Sequence, residues 1–486
     1  MNAAIQRILF HGKQAGLVLP ALTGVMALSI LGYFLLKEWA VLLFPFIVLA
    51  FIWGLQDFKR LYLLMWASIP FAVEVDLPGG LSTDFPAEPL MWLSCLLFAA
   101  YLLLYHTRIN FKFIFHPVFV ILAIHFFWII FSSIISTEPL ISAKYTIAKS
   151  WYLVCFILIP IVLFREMRDF RQWGLFVLIP LLTTIVIILY RHSQLGFTFE
   201  TINNAVIPIY RNHVDYACCL GILLPFVWFL RKYFTHLSGK LLWIASIGLI
   251  TIGIYFSYTR AAWLCIPVAV VVFWIIRLRL MRVVIPIALA LVILFIARMS
   301  YDNTYLEYAP DFEKTITHKQ FDDVLSATYR LEDISSVERI YRWVAGFYMI
   351  KEKPIAGFGP SSFYNAYHNY VDRHFTTYVS DNPEHSGMHN YYLMVAVEQG
   401  IIGLLIFLFL IIFVLVYGER LYHRLPAGPK KQLLIAAVVS FACNLFVLTL
   451  NDLVETDKVG SFFFFCIAIV ILTGFERDLK QNDEPV

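Results

Sequence analysis

Long apolar runs without a charged residue set the strongest limit on how this chain folds. The stretch LPALTGVMALSILGYFLL (19–36) is one of many along the sequence. A helix that crosses the roughly 30 Å hydrocarbon core of a bilayer needs about 20 such residues. Transmembrane β-strands instead alternate apolar and polar residues, which these runs do not. The sequence therefore predicts an all-α, polytopic helical membrane protein.

The composition excludes several other classes of protein. Of the 486 residues, 60% are hydrophobic and 14% are charged, whereas a soluble domain carries about 25% charged residues. A water-soluble enzyme, a disordered chain and a collagen-like chain are therefore excluded. The net charge of +4 comes without a concentrated basic run, so no nucleic-acid partner is expected. The seven cysteines all lie in apolar stretches without metal-type spacing and are predicted to be small core residues.

About fourteen candidate spans follow from this length criterion. They lie near 17–36, 39–55, 61–75, 87–105, 117–135, 145–164, 172–190, 212–230, 241–258, 261–276, 283–300, 389–417, 432–450 and 459–475. The third is short and is closed by Glu74 and Asp76, so it is either a half-span or a tilted helix, and twelve or thirteen true spans remain an alternative. No small-residue cleavage site follows the first run, which we interpret as an uncleaved span.

The spans divide the chain into four regions with a predicted orientation. Transmembrane helices 1–11 occupy 1–299, a long loop follows at 300–388, helices 12–14 occupy 389–475, and 476–486 forms a tail. With the N-terminus inside, every short inside loop carries at least two Lys or Arg residues, as cytoplasmic loops do. Both termini are therefore predicted to be cytoplasmic and the long loop to lie outside. The rare outward charges are Lys144, Lys149, Arg191, Arg211 and Arg260.

One amphipathic helix is predicted in the long loop. Ser335 and Glu338 have the spacing of a capping box. Apolar residues then recur at helical spacing, so the helix should lie along the membrane boundary or on the bundle. These apolar residues are Ile340, Val344, Phe347 and Ile350. Pro354 should end the helix, and Gly357 and Gly359 permit the positive φ of a turn.

Polar residues also mark the start of the span that follows the loop. His385, His389 and Asn390 precede it, and asparagine is a preferred N-cap residue, so we expect Asn390 to cap this helix. Glu398 lies about two turns further on, near Gly400. An acid inside an apolar helix is costly, so Glu398 should face a polar interior or a partner.

Four segments resemble the O-antigen ligase family of bacterial inner membranes and its relatives, the O-antigen polymerases and protein O-oligosaccharyltransferases. They are RNHVDYACCLGILLPF (211–226), SYTRAAWLCIPVAVVVF (257–273), RIYRWVAGFYMIKEKPIAGFGPSSF (339–363) and HNYYLMVAVEQGIIGL (389–404). Each is similar to a family motif, such as His-Asn-x-x-Leu followed by Glu-x-Gly-x-x-Gly-Leu in the last. The predicted span count exceeds that of the family's ligases.

The resemblance implies a GT-C-like helical bundle in the bacterial inner membrane, with one long periplasmic loop containing helices. It implies transfer of a glycan from an undecaprenyl diphosphate carrier to an acceptor hydroxyl at the periplasmic face, without nucleotide sugar, metal or other cofactor. An O-antigen ligase that uses lipid A-core as acceptor is favoured. A polymerase that extends another carrier-linked glycan, a protein-glycosylating enzyme, and a transporter or flippase remain alternatives. Transporters commonly place ionisable residues at mid-membrane, whereas here the charges gather at the outer helix ends.

The resemblance also implies roles for the residues that match its motifs. Arg211 and Arg260 would bind the diphosphate, because a guanidinium fork binds phosphate bidentately. His389 would act as general base, since an imidazole titrates near neutral pH. The alternative is that these arginines only snorkel to headgroups and that His389 only caps a helix.

A second group of residues is assigned to substrate binding or support. Arg339 and Arg342 would contact diphosphate or glycan, Glu398 would orient a partner, and His385 is the alternative base. The complete group is Arg339, Arg342, His385, Asn390, Arg191 and Glu398. A metal site made of His374, His385 and His389 is disfavoured because no clear ligand set accompanies it.

Overall fold

The computed structural model describes residues 24–27, 29–30, 44–77, 81–229, 231, 236–301, 334–371 and 387–482. The chain forms two compact units, Met1–Asn110 with Val162–Leu181, and Phe111–Ile161 with Leu182–Val486. Within the described residues, ten helices are long and apolar enough to cross a membrane. This confirms the predicted all-α, polytopic membrane fold. Most of the predicted first span, the loop residues 302–333 and 372–386, and the last four residues lie outside the described part.

The helices and strands follow one another in this order. They are α1 Phe44–Gln56, α2 Phe58–Ser68, β1 Val73–Leu77, β2 Leu81–Phe85, α3 Ala87–Tyr105, α4 Pro117–Ile134, α5 Pro139–Leu153, α6 Ile159–Leu163, α7 Met167–Gln194, α8 Ile202–Val206, α9 His213–Phe229, α10 Leu237–Phe256, α11 Arg260–Arg277, α12 Met281–Ser300, α13 Ile334–Glu352, α14 Phe363–Ala366, α15 Tyr391–Arg424, α16 Pro429–Val447 and α17 Asp457–Asn482. A π-helical turn, Val154–Leu158, makes α5 and α6 continuous.

In the first unit, the short third predicted span is not a full membrane crossing. The helix α2 has 11 residues and is capped by Asp57, whose side chain accepts the N–H of Arg60. A short 3-10 turn follows, and Glu74 then lies in the antiparallel hairpin of β1 and β2. The short length of α2 favours the half-span alternative for this segment. Trp66 of α2 packs edge-to-face on Trp173 of α7 with ring centroids 5.4 Å apart.

The second unit has α16 and α17 at its centre. Within their apolar windows, 78% and 89% of the residues are buried, against 6% in α12, whose apolar side chains suit a lipid-facing surface. The Ser440 hydroxyl of α16 donates to the Ile222 carbonyl of α9 at 2.7 Å. All seven cysteines are free thiols, and six of them are buried. This confirms the prediction that they fill the core.

The loop helix α13 ends before Pro354 as predicted, but it packs through a different face. It is described from Ile334, one residue before the predicted cap, and Glu338 pairs with Arg342 at 3.4 Å. Its buried residues include Tyr341, Ala345 and Met349. Of the predicted apolar face, Val344 is buried, whereas Phe347 is 44% exposed. Small residues permit close packing between membrane-protein helices, and Gly346 lies against Met388 and Val397. The apolar stripe alone therefore did not identify the packed face.

Candidate active site

Two helices of the second unit begin directly after residues predicted to act in catalysis. Asn212, which follows Arg211, accepts two backbone N–H groups of the first turn of α9 at 3.0 and 2.9 Å. Asn390, which follows His389, accepts the N–H of Leu393 at 3.1 Å and is the N-cap of α15, as predicted. A helix N-terminus carries a positive partial charge. Arg211 and His389 therefore stand at ends of helices that favour an anion.

A third helix start is tied to the first. Arg260 is the first residue of α11, and the preceding Thr259 donates its hydroxyl to the carbonyl of His213 at 3.3 Å. His213 lies two residues after Arg211 at the start of α9. Tyr258 has a left-handed φ of 53°, which turns the chain into α11. The starts of α9 and α11 therefore lie side by side.

The imidazole of His389 lies in a confined, positively charged setting. Its backbone has a left-handed φ of 54°, a conformation that costs a non-glycine residue of order 1–3 kcal/mol. Its Nδ1 atom is buried without a hydrogen-bond partner in the part of the chain that the structure describes. Burial lowers the pKa of His389 to about 3, and the charges of Arg339 and Arg342 act in the same direction. The imidazole is therefore neutral at neutral pH.

The loop helix α13 holds the backbone directly before His389. The buried Arg342 donates from Nη1 to the carbonyl of Gly387 at 2.9 Å. Trp343 donates its indole N–H to the carbonyl of Met388 at 3.1 Å. Two consecutive side chains of α13 thus bind the two residues that lead into His389, and the position of the imidazole depends on this helix.

Asp452, between α16 and α17, connects the arginines of α13 and of the α9 start. Burial raises the pKa of the Asp452 carboxyl, and the charge of Glu455 adds to this, whereas Arg342 and Arg211 oppose it. A Cβ atom added to Gly387 would collide with the Asp452 carboxylate. Asp452 therefore lies against Gly387, within electrostatic reach of both arginines, and three sequence-distant segments meet here.

A second acidic residue of the same connection forms a partly buried ion pair. The carboxylate of Glu455 lies 2.8 Å from Nζ of Lys149, whose side chain is 7% exposed. The hydroxyl of Tyr145 donates to Glu455 at 3.0 Å. This pair fixes the connection between α16 and α17 against α5, one turn away from Asp452.

The loop segment with Gly357 and Gly359 binds the Glu-x-Gly segment of α15 at a break in that helix. Gly400 has φ 71° and ψ −179°, which interrupts the helix. The N–H groups of Phe358 and Gly359 donate to the carbonyls of Val397 and Glu398 at 3.0 and 2.8 Å. The carbonyls released by the break are thus satisfied by the loop, as buried backbone groups must be.

Glycine is required on both sides of this contact. A Cβ atom on Gly357 would collide with the backbone of Glu398, and one on Gly400 with the backbone of Ile355. The Glu398 side chain is buried and accepts the backbone N–H of Phe363 at 3.3 Å. In the described residues, Glu398 therefore secures the loop and hydrogen-bonds neither an arginine nor a histidine.

The predicted site residues thus fall into distinct groups. Arg211, Arg339, Arg342 and His389 are brought together around Asp452 and the start of α15, and Arg260 begins the helix next to Arg211. Arg191 donates to the carbonyl of Asn204 at 2.9 Å, and the neighbouring Asn203 accepts the backbone N–H of His213 at 3.0 Å, so α8 connects Arg191 to the start of α9. His385 lies outside the described residues. No cluster of three or more potential metal ligands occurs in the described part of the chain.

Sequence reasoning missed Asp452 and Glu455. The signal was present in the stretch NDLVETDK (451–458), which places three acids between two apolar spans on the predicted outer side. Its position beside the candidate site becomes visible only when folding brings this stretch against Gly387 and Lys149.

These features define a multi-span helical membrane protein with a cationic site at the starts of its helices. Residues 244–408 match the family model described as O-antigen ligase. This confirms the predicted resemblance to the O-antigen ligase family, a family of O-antigen ligase and polymerase-type membrane glycosyltransferases. The matched region contains Arg260, Arg339, Arg342, His389 and Glu398. No curated protein matches this chain.

Proposed function

We propose that this protein transfers a glycan from an undecaprenyl diphosphate carrier to an acceptor hydroxyl at the periplasmic face of the inner membrane. The favoured acceptor is lipid A-core, which makes the protein an O-antigen ligase. The observation that carries the proposal is the position of Asp452. The positive charges of Arg211 and Arg342 both act to lower the pKa of its carboxyl. Arg342 also lies beside His389. These interactions support a site in which arginine side chains and a neutral imidazole lie close together.

The arginines and helix ends would stabilise the diphosphate. Its negative charge grows as the bond from the anomeric carbon to the phosphate oxygen breaks. Guanidinium forks bind phosphate bidentately, and Arg211 and Arg260 enter from adjacent helix starts. The N-termini of α9, α11 and α15 add partial positive charge without any change in protonation. Groups aimed in advance at developing charge lower the barrier most effectively.

His389 would remove the proton of the acceptor hydroxyl. The hydroxyl oxygen attacks the anomeric carbon, the diphosphate leaves with the bonding electron pair, and the proton passes to the unpartnered imidazole and later to solvent. In the free site, burial, Arg339 and Arg342 hold the pKa of His389 near 3, which makes a weak base. A bound diphosphate would offset these positive charges and raise the pKa. The base would thus gain strength when the donor is in place.

The orientation of the protein is part of the proposal. Lys and Arg residues concentrate in the loops assigned to the inside, which supports cytoplasmic termini. The segments that form the site all belong to the opposite, outer set: the start of α9, the start of α11, the long loop and the 451–458 connection. A site at this face receives a lipid-linked donor and needs no nucleotide or metal from the cytoplasm.

A reconstituted reaction tests the proposal. Purified protein is incubated with a defined undecaprenyl diphosphate glycan and rough lipopolysaccharide, and the product masses are measured. Glycan on lipopolysaccharide, unaffected by chelator, supports the ligase. Glycans of multiple length without lipopolysaccharide would instead indicate a polymerase. If the folded protein transfers no glycan but moves the carrier lipid across vesicle membranes, the protein would be a transporter and not an enzyme.

A further inference from the structure

A cavity of about 520 Å³ opens in the first unit, far in the sequence from the motifs of the active site. It lies where α2 begins and where the chain turns from α6 into α7. This turn joins two candidate spans, Pro139–Leu163 and Met167–Gln194, so the cavity opens at a membrane boundary. The charge distribution of the loops predicts that this boundary is the cytoplasmic one.

The acidic groups at the cavity are largely neutralised. Asp169 forms an ion pair with Lys59, and its other carboxylate oxygen accepts the backbone N–H groups of Arg165 and Glu166 at 2.8 and 3.0 Å. Asp169 therefore presents little net negative charge to a ligand. Its role is to fix the turn between α6 and α7 and to hold Lys59 at the wall.

Two guanidinium groups remain available at the rim. Arg165 and Arg168 are exposed, and within the described residues neither side chain has a partner. Arg60 pairs with Asp57 at 2.9 Å and adds no free charge. Glu166 is the single rim carboxylate that the described contacts leave unpaired, so the free groups together carry one net positive charge.

The remaining wall of the cavity is apolar. Leu63 of α2 and Phe176 of α7 line it beside the charged rim. Leu63 is buried, whereas the ring of Phe176 is 40% exposed. A ligand that fills this cavity thus has an anionic end for the arginines and an apolar part for Phe176.

We propose that this cavity binds the phosphate headgroup of an anionic phospholipid from the cytoplasmic leaflet. Arg165 and Arg168 would hold the phosphodiester, because guanidinium forks match phosphate oxygens. The first part of an acyl chain would lie against Leu63 and Phe176. Basic pockets between transmembrane helices on the cytoplasmic side bind lipid headgroups in this way. A free phosphate ion would use the arginines but gain nothing from the apolar wall.

Native mass spectrometry of the full-length protein in detergent tests the site. Delipidated protein is titrated with phosphatidylglycerol and with phosphatidylcholine that has the same acyl chains. The zwitterionic lipid should bind more weakly. The double change Arg165→Gln/Arg168→Gln should weaken phosphatidylglycerol binding by about fivefold for each arginine, or roughly thirtyfold for both. The matched control Arg279→Gln/Arg282→Gln changes two exposed arginines of another predicted inside loop, and binding should not change.

A third variant distinguishes a lipid from a free phosphate ion. Phe176→Ser, at a partly exposed position, should weaken phosphatidylglycerol binding severalfold and leave competition by inorganic phosphate unchanged. Equal binding of the two lipids, or undiminished binding by the double arginine variant, overturns the proposal. The proposal is also overturned if millimolar phosphate displaces phosphatidylglycerol and the Phe176→Ser change has no effect on lipid binding. The cavity would then bind a free phosphate ion. Glycan transfer is assayed separately, so the two proposals fail independently.

Discussion

Arg342 binds the backbone two residues before His389 and at the same time lowers the basicity of the His389 imidazole. The first effect is the 2.9 Å hydrogen bond from Nη1 to the Gly387 carbonyl. The second is electrostatic: burial lowers the pKa of His389 to about 3, and the positive charges of Arg339 and Arg342 add to this. One side chain therefore helps to position the proposed base and to keep it neutral, which links the loop helix α13 to the chemistry proposed at the start of α15.

Removing the imidazole should abolish most of the transfer without unfolding the protein. We expect His389→Asn to reduce the turnover rate about 10²- to 10⁴-fold, the usual contribution of a general base. Asparagine is chosen because it tolerates the left-handed backbone that His389 adopts, so the local fold should persist. The turnover rate is measured in the reconstituted reaction, and thermal unfolding in detergent checks the fold.

The control for this change is His106→Gln, which alters an exposed histidine of the first unit. It should retain wild-type turnover. If His389→Asn also retains it, the imidazole is a structural group and the base lies elsewhere.

The charge of Arg339 should be visible in the pH profile. With a pKa of about 3, the His389 imidazole of the free protein is neutral between roughly pH 5 and 8. Arg339→Gln removes one positive charge, so the pKa should rise towards its usual value of about 6.5. Burial and Arg342 still lower this pKa in the variant, so the acid limb of kcat/KM should shift to higher pH than in the wild type without reaching the position of a free imidazole.

The measurement is kcat/KM against pH for both proteins, because this ratio reports the ionisation of the free enzyme. The two proteins are compared by the shape of the curve and not by its height, because Arg339→Gln is also expected to lower transfer at every pH. Superimposable acid limbs after scaling would contradict the electrostatic link between Arg339 and His389.

Local sequence signals predicted the elements that depend on local chemistry. Asn390 was expected to cap α15 and does so through Leu393. Pro354 was expected to end α13, and Gly357 and Gly359 were expected to adopt positive φ, which is 71° and 107° in the structure. Each of these outcomes follows from the backbone preference of one residue type within a few neighbours.

The same local reasoning could not predict which residues pack together in the tertiary structure. The apolar stripe of α13 suggested that Phe347 is buried, but apolar side chains suit lipid as well as protein, and the helix packs through Tyr341 and Met349 instead. The position of Asp452 at the candidate site follows only from its contact with Gly387, which is distant in sequence. Likewise, nothing local indicated that Glu398 would hold the backbone of Phe363.

At Arg260, the planar fork of two N–H groups should contribute more to the transfer rate than the positive charge alone. We expect Arg260→Gln to reduce kcat about 10²- to 10³-fold, comparable to the loss of one preorganised donor to a developing anion. Arg260→Lys should recover only part of this, because an ammonium group is a point charge without the planar fork. Arg279→Gln, an exposed arginine of a predicted inside loop, serves as control. Equal activity of the lysine variant and the wild type would show that charge alone suffices.

Gly400, at the break in α15, should be sensitive to the addition of a side chain. At Gly400 the φ of 71° and ψ near 180° belong to a region that essentially only glycine adopts. A Cβ atom there would also collide with the Ile355 backbone. Gly400→Ala should therefore lower the free energy of unfolding by about 1–3 kcal/mol and release the loop that α15 holds, so turnover should fall together with the unfolding temperature.

Gly248→Ala is the matched control, because its Cβ would meet open space in the middle of α10. An unfolding temperature of Gly400→Ala equal to that of Gly248→Ala would show that the loop does not depend on the break.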